Sequence, residues 1–100
     1  MPAEELYIEK ELLFKIAEGD EAAFKELFRM YLPRLAPVIS NITQTDAPVK
    51  DIMQDIFLQI WISRDKLVEI EQPRNWIFRI AYFQCYKWLR HERVKKSANV

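Results

Sequence analysis

Two stretches of this chain carry side chains whose types and spacing suit chemistry with a partner. In DIMQDIFLQIW, residues 51–61, and the isoleucine that follows, Asp51, Gln54, Asp55, Leu58 and Ile62 fall at i, i+3, i+4, i+7 and i+11. On a helix that spacing gathers them on one face. Carboxylate and amide oxygens accept hydrogen bonds from lysine and arginine, and Leu58 and Ile62 add apolar contact. The stripe therefore fits a docking surface for a basic partner helix, with a merely solvated helix face as the alternative. In RNWIFRIAYFQCYKWLRHERVKK, Arg79, Phe83, Tyr86, Arg90 and Arg93 form a second stripe, flanked by Tyr82 and Lys87. Cations neutralise phosphates while exposed rings stack on unpaired bases, so this combination suits single-stranded nucleic acid. The competing reading puts the aromatics in the core. Phe78 and Trp88 are expected there, whereas Tyr82, Phe83 and Tyr86 fit either place.

No residues assemble into a catalytic centre. Cys85 and His91 are six positions apart and fall on different helical faces, which disfavours a thiol–imidazole pair. Asp51 and Asp55 share a face but lack the carboxylate-x-x-His pattern of di-iron bundles, and a single glycine cannot build a phosphate-cradling loop. The chain is thus expected to be a binding module and not an enzyme, with no metal and no cofactor. A lone cysteine, an N-terminus of MPAEELYIEK without an apolar run, and no stretch approaching ~18 apolar residues fit a soluble, cytoplasmic protein that does not insert into a membrane. Formal charge is zero but unevenly spread. Residues 1–70 hold 8 Lys/Arg against 13 Asp/Glu, and residues 71–100 hold 7 against 2. Such asymmetry suggests two partner surfaces, a basic one for nucleic acid and an acidic one for protein.

The elements that must position these stripes are helical. One glycine, no Asn-Gly or Asp-Gly signal and no period-two alternation leave little for strands, so the fold class is all-α, a compact bundle of about four helices. A first helix over 4–17, with Leu6, Leu12, Leu13 and Ile16 inward, stops at Gly19. Asp20 caps a second, in which Phe24, Leu27, Phe28, Tyr31, Leu32 and Leu35 recur at helical spacing. Pro33 and Pro37 predict a kink near Tyr31 and leave open whether one helix or two runs to Ile42. After a polar turn, Thr45 or Asp46 is the expected cap of a third helix, with Pro48 in its first turn and Val49, Ile52, Met53, Ile56, Phe57 and Ile60 buried. A loop of about ten residues should follow, then a fourth helix from Pro73 with Ile77, Ala81, Trp88 and Leu89 inward. Residues 1–96 read as one domain and 97–100 as a disordered tail.

Three segments, GDEAAFKELFRMYLPRL, DAPVKDIMQDIFLQIW and PRNWIFRIAYFQCYKWLRHERVKK, occur in the order found in region two of the extracytoplasmic-function sigma factors, which the sequence resembles over nearly its whole length. The acidic-x-x-Gln-acidic-x-Phe-Leu-x-x-Trp run followed by Trp-Ile-Phe-Arg-Ile-Ala and a basic helix end is the specific part. The resemblance implies a transcription initiation factor domain. Asp51, Gln54, Asp55 and Leu58 would contact the clamp helices of the largest subunit of the RNA polymerase core. The segment from Lys66 to Gln72 and the fourth helix would recognise and melt the promoter minus-ten element by capturing its non-template strand. Leu67 would line a pocket for a flipped base, with Arg79, Lys87 and Arg90 as backbone clamps. An anti-sigma factor is a further partner the resemblance allows. Two departures stand out. Tyr82 and Phe83 replace a polar pair usual after Arg-Ile-Ala, and the family's helix-turn-helix domain, region 4, has no counterpart in these residues. A helical interaction adaptor that never touches DNA is the alternative function. Exposed rings beside the basic side chains of the fourth helix would argue against it.

Overall fold

The computed structural model describes residues 3–98, with side chains to residue 96. Helix α1 spans Ala3–Ala17, α2 Glu21–Thr43, α3 Val49–Ile62 and α4 Pro73–Ala98, and a 3-10 helix, Arg64–Glu69, lies between α3 and α4. Among the described residues there is no strand. Residues 97 and 98, expected in a tail, continue α4, and 99–100 lie outside the described residues.

The α1–α2 corner is built from backbone bonds that only a left-handed residue permits. Gly19 has φ +92°, its N–H donates to Ile16 O at 2.8 Å, and Asp20 N–H reaches Lys15 O at 3.0 Å. Those two bonds are the Schellman closure, which satisfies the last carbonyls of α1. Asp20 then serves the next helix, its Oδ1 accepting from Ala23 N–H at 3.0 Å.

Helix α2 passes through both prolines as one helix, which settles the open question. Pro33 and Pro37 are exposed, and so is Arg29, at one-turn spacing. The carbonyls of Arg29 and Pro33, which lose their amide donors, therefore lie on the water side. The opposite side buries Leu27, Tyr31, Leu35 and Ile39 completely, and that packing holds the helix together. It ends where Gln44 adopts φ 62°.

Neither expected cap of α3 serves it. Pro48 occupies the N-cap with no side-chain bond. Asp46 Oδ1 instead accepts from Ser40 Oγ at 2.6 Å, and Thr45 Oγ1 from Ala47 N–H at 3.2 Å, so both side chains tie the turn back on itself. The anticipated ten-residue loop is largely the 3-10 helix, which folds against α1 because it carries the buried Leu67.

The core joins every helix. Leu13 and Ile16 of α1, Leu27 and Leu35 of α2, Met53, Ile56 and Ile60 of α3, Leu67, and Ile77, Ala81 and Cys85 of α4 share one cluster. Trp88 and Leu89, expected inward, are only half-buried, and nearly all of α4 from Arg90 to Lys96 is exposed. The helix outruns the bundle it packs on, so its basic end has no element beneath it. Sequence periodicity cannot locate that edge.

Candidate functional site

Helix α3 buries Ile52, Met53, Ile56, Phe57 and Ile60 and turns Asp51, Gln54, Asp55, Leu58 and Ile62 outward, all exposed. At ~100° per residue these five occupy an arc of roughly 100°. Among the described residues no cation lies within ion-pair distance of Asp51 or Asp55. The face presents acceptors that its own fold leaves unused.

On α4 the buried side is Ile77, Ile80, Ala81 and Cys85. Tyr82, Arg93, Tyr86, Arg79, Arg90, Phe83 and Lys87, in angular order, fill an exposed arc of about 140° on the other side. Tyr82 is 42% exposed, Phe83 56% and Tyr86 57%. Among the described residues no carboxylate pairs with Arg79, Lys87, Arg90 or Arg93; the salt bridge on this helix, Lys95 to Glu92 at 3.6 Å, lies near its end. Rings open to water at this level cost apolar burial, and cations without partners repel one another. A polyanion with stackable bases removes both penalties.

Tyr82 is not loose on this surface. Its ring lies 6.2 Å from Phe78, and Phe78 lies edge-on to the fully buried Tyr31 at 6.4 Å. Arg74 covers Phe78 with its guanidinium 5.6 Å from the ring centroid. Arg74 and Asn75 thereby join Arg79 and Tyr82 around one depression at the start of the stripe. Neither Arg74 nor Asn75 belongs to the expected stripe. The Arg-x-x-x-Phe spacing of Arg74 and Phe78 was the available signal.

Leu67, expected to line a pocket, packs into the core from the 3-10 helix. It is 1% exposed and belongs to the core, whereas its neighbour Val68 faces out. The 3-10 turn explains the contrast between these neighbours, since it points successive side chains about 120° apart. Leu67 still contributes to a cleft between α1 and the 3-10 helix, with Phe14 and Val68 on its walls and Lys10, Glu69 and Glu71 around it.

A third cluster escaped the sequence altogether. Glu9 of α1 is fully buried, and its Oε1 accepts from Tyr31 Oη at 2.8 Å and from Arg34 Nη1 at 3.1 Å. Glu5 lies 3.8 Å from the same guanidinium. Burial first, then the hydrogen bond to Glu9, pushes the Tyr31 phenol well above its ordinary value. This network ties α1 to α2, and through the Tyr31–Phe78 ring pair it also backs Tyr82 of the α4 stripe. Burial likewise raises the Cys85 thiol, which suits an inert core residue.

The Sigma-70 region 2 family profile matches residues 27–94, which include both stripes. The chain belongs to that family. Relatives of the region 2 chain include RNA polymerase sigma factor NccH of Alcaligenes xylosoxydans xylosoxydans, 30% identical over 88% of this chain and 47% of its own length. CarQ of Myxococcus xanthus is 27% identical over 79% of the chain and 45% of its own length, and CnrH of Cupriavidus metallidurans 27% over 85% and 44%. The resemblance to the extracytoplasmic-function type thus holds. The region 2 chain spans about half the length of the curated relatives it matches. No solved structure matches it significantly. Region 2 belongs to factors that act by binding, so this chain is not an enzyme. Among the described residues no helix is long and apolar enough to cross a membrane. The matched span leaves α1, and with it Glu9, outside.

Proposed function

We propose that this region 2 chain serves transcription initiation by docking on the polymerase core through α3 and holding the melted minus-ten element of a promoter on α4. The carrying observation is the exposure of Tyr82, Phe83 and Tyr86 among the unpaired Arg79, Lys87, Arg90 and Arg93. An adaptor has no use for such rings in water. Arg79, Lys87, Arg90 and Arg93 clamp phosphates of the non-template strand while the rings stack on its bases. The cleft floored by Leu67 and walled by Phe14 and Val68 takes the extruded base, and its contacts offset the few kcal/mol that extrusion costs.

On the other surface, Asp51, Gln54, Asp55 and Leu58 meet the clamp helices of the largest subunit. Calorimetric titration with the isolated clamp-helix hairpin of a bacterial polymerase tests this. The unaltered chain should bind, and Asp55→Lys and Gln54→Ala should each weaken binding while circular dichroism and melting stay unchanged, because both side chains are exposed. Equal affinity for all three proteins would remove the assignment. An anti-sigma factor that covers α3 would compete with the hairpin for these residues.

A further inference from the structure

Between the first turns of α2 and the outer side of α3 lies a groove of about 420 Å³, at the small end of the range for ligand sites. Both helices line it with pairs one turn apart. Phe24 and Phe28 of α2 face Phe57 and Trp61 of α3, and Glu21, Lys25, Gln54 and Leu58 form the lip. The rings hold one another edge-on, with centroids 5.7 Å apart for Phe24 and Phe57, 5.1 Å for Phe24 and Trp61, and 5.0 Å for Phe28 and Phe57. Arg64 covers the indole of Trp61 at 4.6 Å and donates from Nη1 to Trp61 O at 3.0 Å, which fixes that ring. Phe24, Phe28 and Trp61 remain only half-buried. The groove is a preformed apolar recess, not a gap that the side chains fail to fill.

Gln54 and Leu58 belong both to this lip and to the acceptor stripe of α3. A helix seated on the stripe must therefore run along the groove. Asp51 and Asp55 on the stripe select a basic helix, Glu21 and Lys25 on the lip offset each other, and the aromatic floor selects an apolar side chain on that helix. We propose that the groove receives an apolar anchor residue from the same basic helix that docks on Asp51, Gln54, Asp55 and Leu58. This rests on the docking reading above and adds the source of its strength. Charge steers and orients the partner, and the anchor sets how long it stays. Docking should accordingly lose less affinity in salt than an all-charge contact would.

The full chain carrying W76F and W88F retains Trp61 as its single indole and reports on the groove directly. On titration with the clamp-helix hairpin, its emission should move to shorter wavelength as water leaves, with half the shift reached at the midpoint that calorimetry gives. Phe28→Ala should weaken the hairpin about tenfold with the melting profile still cooperative, a moderate anchor-pocket effect. If that variant does not fold, the Trp61 shift in the unaltered groove decides alone. Binding that is sensitive to Asp55→Lys but leaves Trp61 emission unmoved would overturn the anchor and spare the docking reading. No binding at all would overturn both. A Trp61 shift that follows the protein's own concentration without hairpin would assign the groove to a second copy of the chain and equally overturn the proposal.

Discussion

The salt dependence of strand binding offers a quantitative test of the α4 surface. Arg79, Lys87, Arg90 and Arg93 lie in one exposed arc without carboxylate partners among the described residues. If each neutralises one phosphate of a single strand, at about −0.7 per contact, log K should fall with log salt at a slope near −3. Between 50 and 200 mM salt, affinity should then drop about 50-fold. Arg90→Ala removes one contact, which brings the slope close to −2 and the same drop to about 20-fold. Phe83→Ala removes a stacking platform that contributes ~1–3 kcal/mol per base, so it should weaken binding at every salt concentration by ~5- to 150-fold and leave the slope alone. Fluorescence anisotropy with labelled minus-ten-like oligonucleotides, single-stranded and duplex, separates the two effects. Duplex should bind more weakly, because paired bases offer no face to the rings. Identical slopes and identical strand preferences for Arg90→Ala, Phe83→Ala and the unaltered chain would refute the reasoning and return the adaptor as the better account.

Other expectations concern the core. Tyr31→Phe removes the 2.8 Å bond to buried Glu9, whose Oε2 already lacks a partner, and should cost about 1.5–3 kcal/mol in urea unfolding. The phenol is raised in the folded state, so unfolded chains ionise first as pH climbs past about 10. Stability from this group is fully present below that pH and is lost above it, and the Tyr31→Phe variant should lack that alkaline loss in pH-dependent melting. Leu67→Ala should cost about 2–5 kcal/mol because the side chain is core, whereas Val68→Asp should leave stability within about 0.5 kcal/mol and change strand preference in the anisotropy assay. A stable Leu67→Ala variant would show that the 3-10 helix does not carry the core contact assigned to it.

Most of the architecture could be read in the chain because the local signals agree with one another. Gly19 followed by Asp20 ends one helix and starts the next, and the buried faces of α2 and α3 follow helical period at Leu27, Tyr31, Leu35, Ile52, Ile56 and Ile60, whereas Leu32, expected with them, is exposed and Val49 only half-buried. The two stripes were legible for the same reason, since whatever is periodic and not buried must face out. What escaped is non-local. Nothing in its local sequence sets Glu9 apart from the other carboxylates of α1, and only the approach of α2 makes it the acceptor for Tyr31 and Arg34. The aromatic groove needs two helices side by side before Phe24 meets Trp61. The burial of Leu67 beside an exposed Val68 was not legible because a short 3-10 turn has its own period, which neither the helical nor the strand template contains. Thr45 and Asp46 are good capping residues that the turn spent on itself.

On the proposed strand-binding role, the length of α4 beyond the bundle bears on how tightly the strand would be held. The turns from Arg90 to Lys96 are nearly all exposed, so among the described residues they keep their shape chiefly by intrinsic propensity and the Glu92–Lys95 pair. Such turns open and close with little free-energy difference. Arg90 and Arg93 act together only while the helix is wound, which means that part of the binding energy goes into winding it. Affinity for the strand is therefore adjustable at positions that never touch it. A better helix former than Val94 on the outer turn would preorganise the cations and strengthen binding, and a glycine there would weaken it, with every contact residue unchanged.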